Sequence, residues 1–143
     1  MKNIVDQLIE KIKEKDNPTV MGLDPIPDYI PEEISKNNVN IADNFLRFNK
    51  TLIDSVHDII PAVKPNLAFY EVYGYEGIRA FMETCRYAHQ KGMIVIADGK
   101  RNDIGSTGEA YAKAYFGNTY NVDLLTVNAY LGEDRSSSIS KSK

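Results

Sequence analysis

Apolar residues recur along this chain with two periods that take turns. Ile4, Val5, Leu8, Ile9 and Ile12 share one helical face while Asp6, Glu10, Lys11 and Lys13 occupy the other, so an amphipathic helix opens the chain. Residues 19–24 (TVMGLD) form a short apolar run stopped by an acid and by Pro25, the pattern of a buried strand. Pro25, Pro27 and Pro31 then make a long irregular connection. Phe45, Phe48, Leu52, Val56 and Ile59 recur at three- and four-residue spacing, predicting a helix over 44–60, and residues 61–64 predict a brief strand ending at Pro65. The cycle repeats with a helix over 77–91, whose Ile78, Phe81, Met82, Cys85 and Ala88 lie on one face, and a fully apolar strand over 93–97 that runs into Asp98. A turn of Gly105, Ser106 and Thr107 starts a helix over 107–116 that stops near Gly117, and 124–128 predicts a fourth strand.

Continuous apolar strands are buried on both faces, and strands separated by helices run parallel, so the pattern is a βα repeat. The strands end at Asp24, Lys64, Asp98 and Asn128, at intervals of 40, 34 and 30 residues, one βα unit per step. Four units make half of an eight-stranded barrel, which takes about 250 residues; a complete small doubly wound domain is the alternative. Residues 132–143 (GEDRSSSISKSK) carry five serines and no period, so we expect a globular part over 1–131 followed by a solvated, disordered tail. Because the βα pattern stops there without an edge-protecting device, the expectation is a shortened or frame-shifted copy of a longer chain.

Composition narrows the function. With 143 residues, 43% hydrophobic, 26% charged and a formal net charge of −3, the chain is a globular composition with no apolar run near the roughly 20 residues of a membrane span. Mild acidity without a basic tract argues against a nucleic-acid surface and leaves small molecules or protein as partners. The single cysteine, Cys85, can form no internal disulfide, and the charged N-terminus lacks a signal-peptide core, so a cytoplasmic setting is expected.

In a parallel α/β sheet reactive groups gather at the carboxyl ends of strands, and here successive apolar runs finish in Asp24, Lys64, and Asp98 with Lys100. Asp98 and Lys100 are two apart, so if the strand persists through Gly99 they share a face and can pair. An exposed ion pair worth about 0–1 kcal/mol is the ordinary meaning of Asp-x-Lys. Here the pair follows five apolar residues, and Lys64 ends a second buried strand; alternating carboxylates would let both cations remain charged. Other polar residues are read more plainly. His57 and His89 are helix-surface histidines without ligand partners, so no metal is expected, and Cys85 is a packed thiol. Gly105–Gly108 is a helix cap, and Tyr70, Tyr73 and Tyr75 either line a pocket or pack a loop.

Residues 63–71 (VKPNLAFYE) and above all 98–105 (DGKRNDIG) resemble the orotidine 5′-phosphate decarboxylase family, in particular its longer-chain bacterial branch; the resemblance spans about residues 1–132, an N-terminal portion. It implies a TIM (β/α)8 barrel, of which this chain supplies about the first four units. It also implies a homodimer that converts orotidine 5′-phosphate to uridine 5′-phosphate in de novo pyrimidine synthesis without metal or organic cofactor. Position by position, Lys64, Asp98, Lys100 and Asp103 correspond to the family's charged tetrad, with Asp103 reaching into the neighbouring subunit's site. Asp24 corresponds to a ribose-hydroxyl ligand. Ile104 and Thr107 would join Asp103 at the neighbour's site, the isoleucine against the pyrimidine and the threonine at the ribose. Asn128, at its strand end, is a further candidate substrate contact. The family's phosphate-gripping loop and arginine follow later strands, so this chain alone is expected to turn over substrate feebly or not at all. Two other readings compete: a Schiff-base lysine barrel of the aldolase type, which wants a lysine of lowered pKa where Lys100 has carboxylate neighbours, and a catalytically incompetent dimerisation module.

Overall fold

The computed structural model describes residues 2–36 and 40–131. Helix α1 (Ile4–Lys15) forms on the expected apolar spacing; Asn3 closes its start by accepting the Val5 N–H, and Asp16 ends it in the left-handed region. Four strands follow, β1 (Val20–Leu23), β2 (Ala62–Pro65), β3 (Ile94–Arg101) and β4 (Leu124–Val127). They form one sheet in the order β1-β2-β3-β4, parallel throughout, with Leu23 beside Pro65, Val63 beside Val95 and Ala97 beside Leu125. Sequential order with a helix in every crossover is the arrangement of consecutive barrel units.

Between β1 and β2 lie a 3-10 turn (Pro27–Tyr29), the short α2 (Glu32–Ser35) and the long α3 (Ile41–Val56). Between β2 and β3 lie α4 (Leu67–Glu71) and α5 (Gly74–Gln90); α6 (Gly105–Phe116) joins β3 to β4, and a 3-10 turn (Ala129–Leu131) follows.

Several boundaries depart from the expectations for local reasons. The helix expected over 44–60 begins at Ile41, because the Asn40 side chain accepts the Ala42 and Asp43 N–H groups, and stops at Val56 ahead of Pro61. The strand expected to be buried at 19–24 is an edge: Val20 is exposed and only Leu23 of β1 is buried. The connection after β1 is partly helical, and α4, capped by Asn66 accepting the Ala68 N–H, had no sequence signal beyond that asparagine. Residues 105–107 are the first turn of α6 itself, and Ile104, which offers no side-chain bond, occupies the cap in place of the expected glycine-serine turn. The expected tail, 132–143, lies outside the described residues.

The core fills the space between sheet and helices with Phe45 and Ile53 of α3, Phe81 and Cys85 of α5, Val63, Val95 and Tyr115. Burial pushes the Cys85 thiol up, as expected of a packed cysteine. A polar chain crosses this core. Asn49 donates to Tyr70 Oη at 2.8 Å and to Thr84 Oγ1 at 3.1 Å, and Tyr70 donates to the Leu23 carbonyl at 3.1 Å, tying α3, α4 and α5 to the end of β1. Tyr70 is therefore packing rather than pocket lining, whereas Tyr75 is exposed. At Gly77 a Cβ would lie 1.8 Å from the Tyr70 carbonyl oxygen, so α4 and α5 can meet only over a glycine. No helix among the described residues is long and apolar enough to cross a membrane.

Candidate active site

The carboxyl ends of β2 and β3 deliver their charges to one place. Strand pairing sets Val63 beside Val95 and bridges Asn66 to Asp98, so Lys64 and Asp98 emerge as neighbours. Lys64 Nζ lies 2.7 Å from Asp98 Oδ2, and Lys100 Nζ lies 2.6 Å from Oδ1 of the same carboxylate. Each ammonium thus takes its own oxygen. Thr126 of β4 also donates to Oδ1, at 2.9 Å, and its hydroxyl accepts the Lys100 backbone N–H at 3.0 Å.

The Asp98 side chain is 10% exposed, against 36% for Lys64 and 66% for Lys100. Burial alone would raise the Asp98 carboxyl, but the hydrogen bonds from Lys100, Lys64 and Thr126 outweigh it and hold the group well below the usual carboxylate range. The result is a fixed anion carrying two cations, of which Lys100 is the more exposed. Such an array can meet developing negative charge on a bound molecule and hand it a proton.

The next residue braces the array. Arg101 donates to Glu71 Oε1 at 2.6 Å and to the Gly99 carbonyl at 3.0 Å, and its guanidinium stands over the rings of Tyr111 and Tyr115 at 5.7 and 5.8 Å. Gly99 fits beneath: a Cβ there would lie 3.0 Å from Tyr115 Oη and 3.2 Å from Leu125 Cδ1. Burial pushes the Tyr115 hydroxyl up to about 12.

The other expected site residues lie apart from this array. Asp24 is exposed at the end of β1. Asp103 is half-buried in the turn before α6, where its Oδ1 accepts the Ile104 N–H at 2.8 Å, and it forms no ion pair with a described residue of this chain. Ile104, at the cap of α6, and Thr107, on its first turn, are both exposed. Asn128 is exposed and its Oδ1 accepts the Tyr130 N–H at 2.9 Å, closing the turn after β4. The expected plain reading of His89 is corrected: its Nε2 lies 2.7 Å from Asp123 Oδ2, an oxygen that also accepts the Val95 N–H, so the ring is half-buried in a structural pair. Among the described residues no group of three or more His, Cys, Asp or Glu is arranged to hold a metal ion.

Sequence reasoning missed Thr126 and Arg101. Thr126 carried a signal, being a lone hydroxyl inside the apolar run of β4; Arg101 carried none beyond following Lys100.

Residues 37–141 match the family described as orotidine 5′-phosphate decarboxylase / HUMPS. The chain is 42% identical over 131 residues to the orotidine 5′-phosphate decarboxylases of Clostridium novyi and Clostridium kluyveri, covering 92% of this chain and 45% of each relative. It therefore spans about half the length of the curated relatives it matches. The solved orotidine monophosphate decarboxylase of Leishmania donovani superposes with a TM-score of 0.79 at 30% identity, over 98% of this chain and 50% of that one.

Proposed function

The chain belongs to the orotidine 5′-phosphate decarboxylase / HUMPS family, and on that premise we propose that its Lys64–Asp98–Lys100 array removes CO2 from orotidine 5′-phosphate to give uridine 5′-phosphate, a step of pyrimidine synthesis in the cytoplasm. The single observation that carries this reading is the sharing of one buried carboxylate by two ammonium groups at adjoining strand ends. The C6–carboxylate bond breaks, CO2 departs, and the electron pair stays on C6, an sp2 carbon with no conjugated sink. Lys100 meets that pair with a charge already in place and gives C6 a proton; the neutral amine then recovers its proton from water. A cation held before the reaction needs no reorganisation during it, which is usually the largest catalytic contribution. Asp98 fixes the ammonium, and Lys64 balances the second oxygen.

The remaining roles extend the same reading. Asp24 binds the ribose hydroxyls and Asn128 touches substrate from the end of β4. In a homodimer Asp103, Ile104 and Thr107 complete the partner's site; the exposure of Ile104 and Thr107 and the lack of an ion pair between Asp103 and any described residue of its own chain support this. Residues 1–131 act as the N-terminal half of a barrel domain. Binding energy from a non-reacting phosphate organises the reacting end of such a substrate, so the groups that grip the phosphate set much of the turnover rate.

The test is release of labelled CO2 from carboxyl-labelled orotidine 5′-phosphate, by this chain and by a full-length form in which residues 1–131 replace the matching part of the Clostridium novyi relative. Release by the full-length form with little from the chain alone is expected. A folded full-length form that releases none overturns the proposal.

A further inference from the structure

We propose that Thr126 is the positioning residue for Lys100: its hydroxyl holds the end of β3 in the one shape that lays the lysine ammonium along the Asp98 carboxylate. This rests on the decarboxylase reading for its consequence but on separate observations for its geometry. β3 and β4 pair Ala97 with Leu125 and then Arg101 with Val127. Between those pairs Asp98, Gly99 and Lys100 stand opposite Thr126 alone, so β3 bulges, and Lys100 occupies the left-handed region at φ +48°. A bulge re-aims side chains, and a lysine in that conformation persists only where its surroundings impose it.

Thr126 imposes it from both sides. Its Oγ1 accepts the Lys100 N–H that the bulge has removed from the regular ladder, at 3.0 Å, and donates to Asp98 Oδ1 at 2.9 Å, the oxygen that also receives Lys100 Nζ at 2.6 Å. One hydroxyl thus ties the lysine's backbone to the carboxylate that holds its side chain. The rest of β4, Leu124, Leu125 and Val127, has no polar side chain to take over. Arg101, bonded to Glu71, anchors the far side of the bulge but touches neither oxygen of Asp98.

The test compares Thr126→Val, which keeps the shape and loses the hydroxyl, with Thr126→Ser, which keeps the hydroxyl. Two readouts are taken on the 143-residue chain itself: hydrogen exchange of the Lys100 amide, and the rate at which N-acetoxysuccinimide acetylates each lysine, resolved by mass spectrometry. In Thr126→Val the Lys100 amide should exchange about tenfold faster, as expected for the loss of one hydrogen bond, and Lys100 should acetylate several-fold faster. The Val95 amide and the acetylation of Lys11 should stay unchanged, and Thr126→Ser should restore wild-type values. Unchanged Lys100 exchange and acetylation in Thr126→Val overturn the proposal, as does an equal change at Val95 and Lys11, which marks general loosening. If Thr126→Val does not fold, failure of Thr126→Ser to keep wild-type Lys100 exchange and acetylation overturns it equally. In the full-length form Thr126→Val should lower kcat more than it raises KM. Lack of turnover in the unsubstituted full-length form defeats the decarboxylase reading and leaves the positioning result to be read from exchange and acetylation.

Discussion

Lys64 and Lys100, 36 positions apart, grip opposite oxygens of a single carboxylate, at 2.7 and 2.6 Å from Asp98. Two cations brought together by adjoining strands repel unless that anion stays between them, so the array is a unit whose centre is Asp98. Removing it should hurt more than removing either lysine. Asp98→Ala leaves two ammonium groups facing each other, and the cost should be about 1–2 kcal/mol, below the 3–5 kcal/mol of a fully buried pair because both lysines reach solvent. Urea unfolding of Asp98→Ala against Lys100→Ala measures the difference.

The same carboxylate makes stability depend on pH in a defined direction. The folded state holds Asp98 below its ordinary range, the hydrogen bonds from its two lysines and Thr126 outweighing the effect of burial. Its contribution is therefore complete above the unfolded value, near pH 4, and is lost as pH falls toward the folded value. Thermal melts of the wild type and Asp98→Asn should differ most at neutral pH and converge as the pH drops below about 4.

The Tyr70 hydroxyl links Asn49 to the carbonyl of Leu23, the residue before Asp24. Tyr70→Phe leaves both groups buried with that partner gone and should cost about 1–3 kcal/mol. The midpoint of urea unfolding reads this directly.

Much of this arrangement is legible in the sequence. Parallel βα units followed from apolar runs too continuous for a half-solvated sheet, and Lys64, Asp98 and Lys100 were found because each ended such a run. Asp98 and Lys100 do pair, but by another route: the strand persists through Gly99 with a bulge, so strict alternation does not describe Lys100. No periodicity argument reports a bulge, since it is decided by what stands opposite, here Thr126. Helix starts went astray for a related reason. Asn40 and Asn66 cap helices through one side-chain oxygen each, a local bond that hydrophobic spacing does not register. The burial of β1 was overestimated because a strand's neighbours, not its own composition, decide whether it is an edge.

Asp103 makes no ion pair with a described residue of its own chain, which fits a role across a dimer. In the full-length form, Lys100→Ala and Asp103→Ala homodimers should each be inactive. Mixing them should recover about one quarter of wild-type activity, because half of randomly paired dimers are hybrids with one intact site. No recovery after subunit exchange, followed by sedimentation of labelled subunits, would place Asp103 in its own subunit's site.

In the proposed reaction the Lys100 ammonium meets and protonates the carbon that loses CO2. The most direct measurement of that role is the single-turnover rate of CO2 release from saturating orotidine 5′-phosphate by the full-length form, with Lys100 and with Lys100→Ala, each shown to be folded by circular dichroism. Release should be at least about a thousandfold slower in Lys100→Ala, the combined scale of a lost preorganised charge and a lost general acid. Release within a few-fold of the unsubstituted protein would contradict that role.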